Sequence, residues 1–166
     1  MKLDRLIDRL RDEVALYEEF IATLQAETEC LVSRDYRKLY DTVCSKEGVL
    51  ARMCVSGQAR LKEMEAAAED LNLSGPVTLT AILRSAEFLD WAELRELKRL
   101  RDAASSLMES IKEINKLNSL VAEGSLENIN KALALLRGFM PGSTYSSHGA
   151  YHGALSGKGQ TLIKGA

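Results

Sequence analysis

His148 and His152 are the only imidazoles in the chain, and they stand four residues apart. On one face of a helix that spacing would chelate a metal ion. The glycines and serines around them oppose a helix, so no metal site is expected. No Glu-x-x-His occurs, which removes the ligand set of a di-iron helical bundle. Cys30, Cys44 and Cys54 are odd in number and form no C-x-x-C, so neither a disulfide framework nor a zinc site is suggested. They are expected as small buried side chains in a reducing compartment. No serine or cysteine has a basic partner fixed near it in sequence. No glycine-rich phosphate loop follows a strand. The carboxylates are spaced as on solvated helix faces. Neither catalysis nor a cofactor is expected.

Asn115 and Asn118 are the most informative polar residues, three apart within an otherwise apolar helical stripe. Two readings stand open. Their amides are satisfied across a bundle, or they sit where the bundle opens and orient a bound partner.

The elements that would position them are long helices. Leu3, Ile7, Leu10, Val14, Tyr17, Ile21, Leu24 and Leu31 recur in alternating steps of four and three, with Thr28 in the one vacant place. This predicts a helix from about Leu3 to Val32, roughly 45 Å long. Ser33-Arg34-Asp35 is a short polar break. A second stripe follows, with Leu39, Val43, Leu50, Met53, Leu61, Met64, Ala68 and Leu71. So short a connection forces the two helices antiparallel.

Lys46 falls on the second seam, either snorkelling at its edge or paired with a carboxylate that sets register. Gly57 suggests a close approach or a bend. Ser74-Gly75-Pro76 is the strongest punctuation. Leu79, Ile82, Leu83 and Ala86 then predict a short helix across the bundle, and Asp90 with Glu93 resembles a capping box. The last stripe runs through Leu94, Leu97, Leu100, Ala104, Leu107, Ile111 and Ile114. It resumes at Val121, Ile129, Leu133, Leu136 and Phe139. Its phase survives Gly124, so one continuous helix to about Gly138 is expected.

The expected fold is all-α. It is an antiparallel bundle of three long helices with a short connecting helix over residues 1–140, followed by a flexible Gly/Ser-rich tail over 141–166. Such a tail has too few large apolar side chains to offset its ordering entropy.

With 22 basic and 24 acidic residues the net charge is -2, which offers nucleic acid no basic face. No run reaches the roughly 18 apolar residues of a membrane span. No signal-peptide core follows the N-terminus. A cytoplasmic protein without membrane insertion is expected. The last helix is expected to run past the second by roughly ten residues, leaving Ile129, Leu133, Leu136 and Phe139 without a partner in the monomer. An uncovered apolar helix face is an oligomer contact or a site for another protein's helix.

Three local patterns then coincide. Glu27, Leu31, Asp35 and Leu39 precede Lys46-Glu47, Leu50, Met53 and Arg60. Asn115-x-x-Asn118 precedes Leu120-Val121. Tyr145 lies in the tail shortly before Gly149. In this order the chain resembles the FlgN-type flagellar export chaperones. The resemblance implies a cytosolic protein that binds the C-terminal helix of hook–filament junction (hook-associated) proteins and prevents their premature polymerisation. It also implies delivery of these clients to the flagellar type III export apparatus. Carried over to this sequence, the client-binding residues are Asn118, Val121, Ile129, Leu133, Leu136 and Phe139, and Tyr145 docks at the export gate. Tyr151 and the two histidines depart from the family's usual tail. The residues alone also fit a structural coiled-coil homo-oligomer, a small helical protein-binding regulator, or a chaperone that self-associates when it has no client.

Overall fold

The computed structural model describes residues 2–85, 91–139, 144–145 and 151–152. Four helices carry the architecture: α1 (Lys2–Ser33), α2 (Tyr36–Asp70), α3 (Leu79–Ser85) and α4 (Trp91–Phe139). The all-α expectation holds, with three long helices and one short one. Gly124 does not interrupt α4. Two further elements, β1 (Thr144–Tyr145) and β2 (Tyr151–His152), pair antiparallel. The rest of the expected tail lies outside the described residues, as does Asp90 of the expected capping box.

Local chemistry sets the helix ends. Arg34 adopts a left-handed backbone with φ of 58°. Its neighbour Asp35 then caps α2, its carboxylate accepting from the Lys38 amide at 3.1 Å. At the far end Asn72 takes φ of 51°, and the Leu73 amide reaches back to the Ala68 carbonyl at 3.0 Å. Gly75 has φ of 120°, a region that side chains avoid. The Thr78 hydroxyl accepts from the Ala81 amide at 3.1 Å and starts α3.

The chain divides into two compact units, Met1–Glu123 and Gly124–Ala166. Within the first, Glu13 pairs with Arg60 at 2.6 Å, Glu19 with Arg52, and Glu27 with Lys46 at 2.8 Å. Rising numbers on α1 meet falling numbers on α2, so the two are antiparallel. Arg11 meets Glu96 while Leu24 and Glu27 meet Asn118, so α4 runs parallel to α1. The order is up, down, up.

Two apolar clusters fill this unit. One gathers Leu3, Leu6, Ile7 and Leu10 of α1 with Met64 and Ala67 of α2, Ile82 and Leu83 of α3, and Leu97 and Leu100 of α4. The other joins Tyr17, Phe20 and Leu24 with Val49 and Ile111.

The most buried side of α1 differs from the expected seam. It runs Leu3, Leu6, Leu10, Glu13, Tyr17, Phe20, Leu24 and Glu27. Val14, Ile21 and Thr28, expected at its centre, are only part-buried. A pattern built from apolar residues passes over the true heptad positions because glutamate occupies two of them. These glutamates are tolerated inside because α2 supplies a cation to each. Lys46 is therefore a part-buried partner of a buried carboxylate, the register-setting alternative, not a snorkelling side chain. On α2, Val49 points inward while Leu50 and Leu61 are exposed. Cys30 is buried, but Cys44 and Cys54 are exposed, contrary to expectation, since each lies one residue beyond an inward-leaning position (Val43, Met53).

Glu13 and Glu27 lie two heptads apart, and so do Arg60 and Lys46. In the heptads between and beside them, Leu6 shares one apolar cluster with Ala67, and Phe20 shares the other with Met53. A slip of one heptad would set each glutamate against apolar side chains, which costs several kcal/mol. The Tyr17 hydroxyl donates to Glu13 Oε1 at 2.8 Å. Burial, and then this bond to a carboxylate, push the phenol pKa up. Gly57 faces the same carboxylate. A methyl there would lie 4.0 Å from Glu13 Oε1, so close helix approach does not demand the glycine.

Lys46→Ala strands the Glu27 charge and is expected to lower stability by about 2–3 kcal/mol, measured by urea unfolding. Adding Glu27→Gln to that variant should recover part of the loss, since it removes the uncompensated charge.

Candidate functional site

Past Asn118, the apolar positions of α4 continue at Leu126, Ile129, Leu133 and Leu136, in steps of three, four and three. That spacing lays them along one helix face. They are 60%, 44%, 45% and 58% exposed, far from the burial such side chains find in a core. Elsewhere around the helix Leu120 and Leu135 are exposed as well, at 58% and 65%, and Lys131 pairs with Glu127 at 2.7 Å one turn apart. Val121 is part-buried. Phe139 ends the helix, and its side chain lies outside the described residues. Leu126 escaped the sequence reading. Its signal was the three-residue step to Ile129, obscured by Gly124-Ser125, which draws the eye as a break.

Asn118 lies elsewhere. It is 3% exposed, and α1 takes up its whole amide. Its Nδ2 donates to the Leu24 carbonyl and to Glu27 Oε2, both at 2.9 Å. Its Oδ1 accepts from the Thr28 hydroxyl at 2.6 Å. Asn115 is exposed, with Oδ1 accepting from Lys46 Nζ at 3.2 Å. Of the two readings open for this pair, satisfaction across the bundle is the one observed. Asn118, expected among client contacts, instead joins α4 to the Glu27–Lys46 layer. The physical reason is that a buried carboxylate has more acceptor capacity than one ammonium can fill.

The tail residue Tyr145 is the direct strand partner of Tyr151, and Thr144 that of His152. His148 lies outside the described residues. Among the described residues, no group of three or more His, Cys, Asp or Glu is placed to hold a metal. No described helix is long and apolar enough to cross a membrane.

Three long helices define an all-α protein, and the last of them carries exposed apolar side chains at Leu126, Ile129, Leu133 and Leu136. A family model described as FlgN protein matches residues 1–153, and the chain belongs to that family. FlgN proteins are flagellar export chaperones rather than enzymes, cytoplasmic as a class, and they bind flagellar export substrates. Neither the curated proteins nor the solved structures searched contain a match.

The two halves of α4 should respond differently to substitution. Asn118→Ala leaves the Leu24 carbonyl and Glu27 short of a donor, and should cost about 1–3 kcal/mol in urea unfolding. Leu133→Ala should stay within about 0.5 kcal/mol of the parent protein.

Proposed function

We propose that this chain is a cytoplasmic chaperone for hook–filament junction proteins. On this reading it captures their C-terminal amphipathic helix and prevents premature polymerisation. The observation that carries the reading is the exposed stripe of Leu126, Ile129, Leu133 and Leu136. Val121 would extend it on one side and Phe139 on the other. Asn118 has no part in capture, because its amide is already committed.

The physics of the proposal is competition. A helix that assembles by burying its apolar face against copies of itself cannot do so while that face is covered. An apolar side chain contributes roughly 1.5–3 kcal/mol on full burial. Here the gain is smaller, since these side chains are already half covered. Lost rigid-body freedom and ordering of the client offset much of the remainder. The net affinity falls in the range of about micromolar to nanomolar, from which a client can be released without a nucleotide.

Delivery to the type III export apparatus is assigned to the tail, with Tyr145 as the docking residue. Family membership supports the role, and the pairing of Tyr145 with Tyr151 makes Tyr151 the control for it.

Leu133→Asp should abolish capture of a junction-protein C-terminal peptide, measured by calorimetry, with helical content by circular dichroism unchanged. If Leu133→Asp unfolds the protein, the stripe is core and the assignment fails. If sedimentation instead shows a tight dimer that Leu133→Asp dissociates, a structural homo-oligomer replaces the chaperone reading. A variant lacking residues 141–166 should retain capture and lose delivery, scored as client secretion. Loss of capture in that variant would contradict the division of labour.

A further inference from the structure

The opening turns of α4 separate charge by face. Toward α1 lie the acidic side chains Asp4, Asp8, Glu93 and Glu96, with Arg11 among them. Toward α3 lies a cavity of about 380 Å³ lined by Thr80, Leu83, Arg84, Leu94, Lys98 and Arg101. None of these six is acidic. Arg101 holds Asp102 at 2.6 Å, whereas Arg84 and Lys98 make no ion pair among the described residues. In a chain of net charge -2, these two cations beside a leucine floor are a local excess of positive charge among the described residues.

The same face of α4 begins with Trp91. Trp91, Leu94, Lys98 and Arg101 follow in steps of three, four and three, one stripe of a helix. Trp91 is 71% exposed, and the Arg95 guanidinium lies 5.2 Å from its ring centroid. An exposed tryptophan beside an arginine, one turn before Leu94 on the same helix stripe, has the composition of a protein-contact anchor at the edge of that cavity's lining helix. A simple anion would use the cations and leave Leu83, Leu94 and Trp91 without a role.

We infer that the α3–α4 cavity is a docking site for an acidic peptide segment of a partner protein. One apolar side chain of the segment seats on Leu83 and Leu94, and its carboxylates face Arg84 and Lys98. This site is separate from the α4 stripe and does not rest on its assignment.

Trp91 is the sole tryptophan, so its emission in the full chain reports on the start of the helix stripe that carries Leu94 and Lys98. The probe is a labelled synthetic peptide of alternating glutamate and leucine, with a lysine–leucine peptide as its counterpart. The acidic peptide should bind by anisotropy and shift Trp91 emission to the blue; the basic one should do neither. Arg84→Glu or Lys98→Glu should weaken binding by about tenfold or more. The charge-matched Lys112→Glu, further along α4, should change it by less than about twofold. Should either reversal disturb the fold by circular dichroism, the neutral pair Arg84→Gln and Lys98→Gln should still weaken binding and flatten its salt dependence. Equal weakening by Lys112→Glu, absence of acidic-peptide binding, or displacement of the peptide by inorganic phosphate would each overturn the inference.

Discussion

The bundle depends on neutralising a carboxylate that is largely withdrawn from water. Glu27 is held by Lys46 Nζ at 2.8 and 3.1 Å and by Asn118 Nδ2 at 2.9 Å. One residue from each long helix therefore meets in a single polar layer. Leaving any of them unpaired inside is expensive, whereas leucine pairs tolerate many offsets. The second layer, Glu13 with Arg60 and Tyr17, repeats the constraint two heptads away. Together they select one alignment of α1 and α2 among the several that apolar heptads alone would accept.

The same helix that supplies Asn118 to the Glu27 layer also carries a row of exposed apolar side chains. Leu126, Ile129, Leu133 and Leu136 share one face of that helix, and they are 44–60% exposed. Four apolar side chains exposed in one row would invite aggregation in most proteins. On the function we propose, the same row is a preformed half of a helix–helix contact.

Much of this was legible in the chain. The three stripes and the break at Ser33-Arg34-Asp35 predicted the helices and their antiparallel pairing, because amphipathic period and turn chemistry are local properties. The exposed ends at Ile129, Leu133 and Leu136 were anticipated from unequal helix lengths. Less legible were the positions where charge sits inside. Reading apolar residues alone chose Val14 and Ile21 over Glu13 and Phe20, and Leu50 over Val49. The same habit placed all three cysteines in the core. A glutamate on the heptad cannot be recognised as internal until its cation is known, and Arg60 and Lys46 are far away in sequence.

The sequence by itself thus determined that this is an all-helical chain with a surplus of apolar surface on its last helix, because periodicity and composition act over a few turns. Only the tertiary structure decided that the Asn118 amide is buried and taken up by α1. It alone gathered Arg84, Lys98 and Leu94 around one cavity, and it alone showed which polar residues are buried. The reason is physical: whether a polar side chain binds a partner or builds the core depends on whether its hydrogen bonds are already spent. That is settled by residues scores of positions away, brought within 3 Å by the packing of helices.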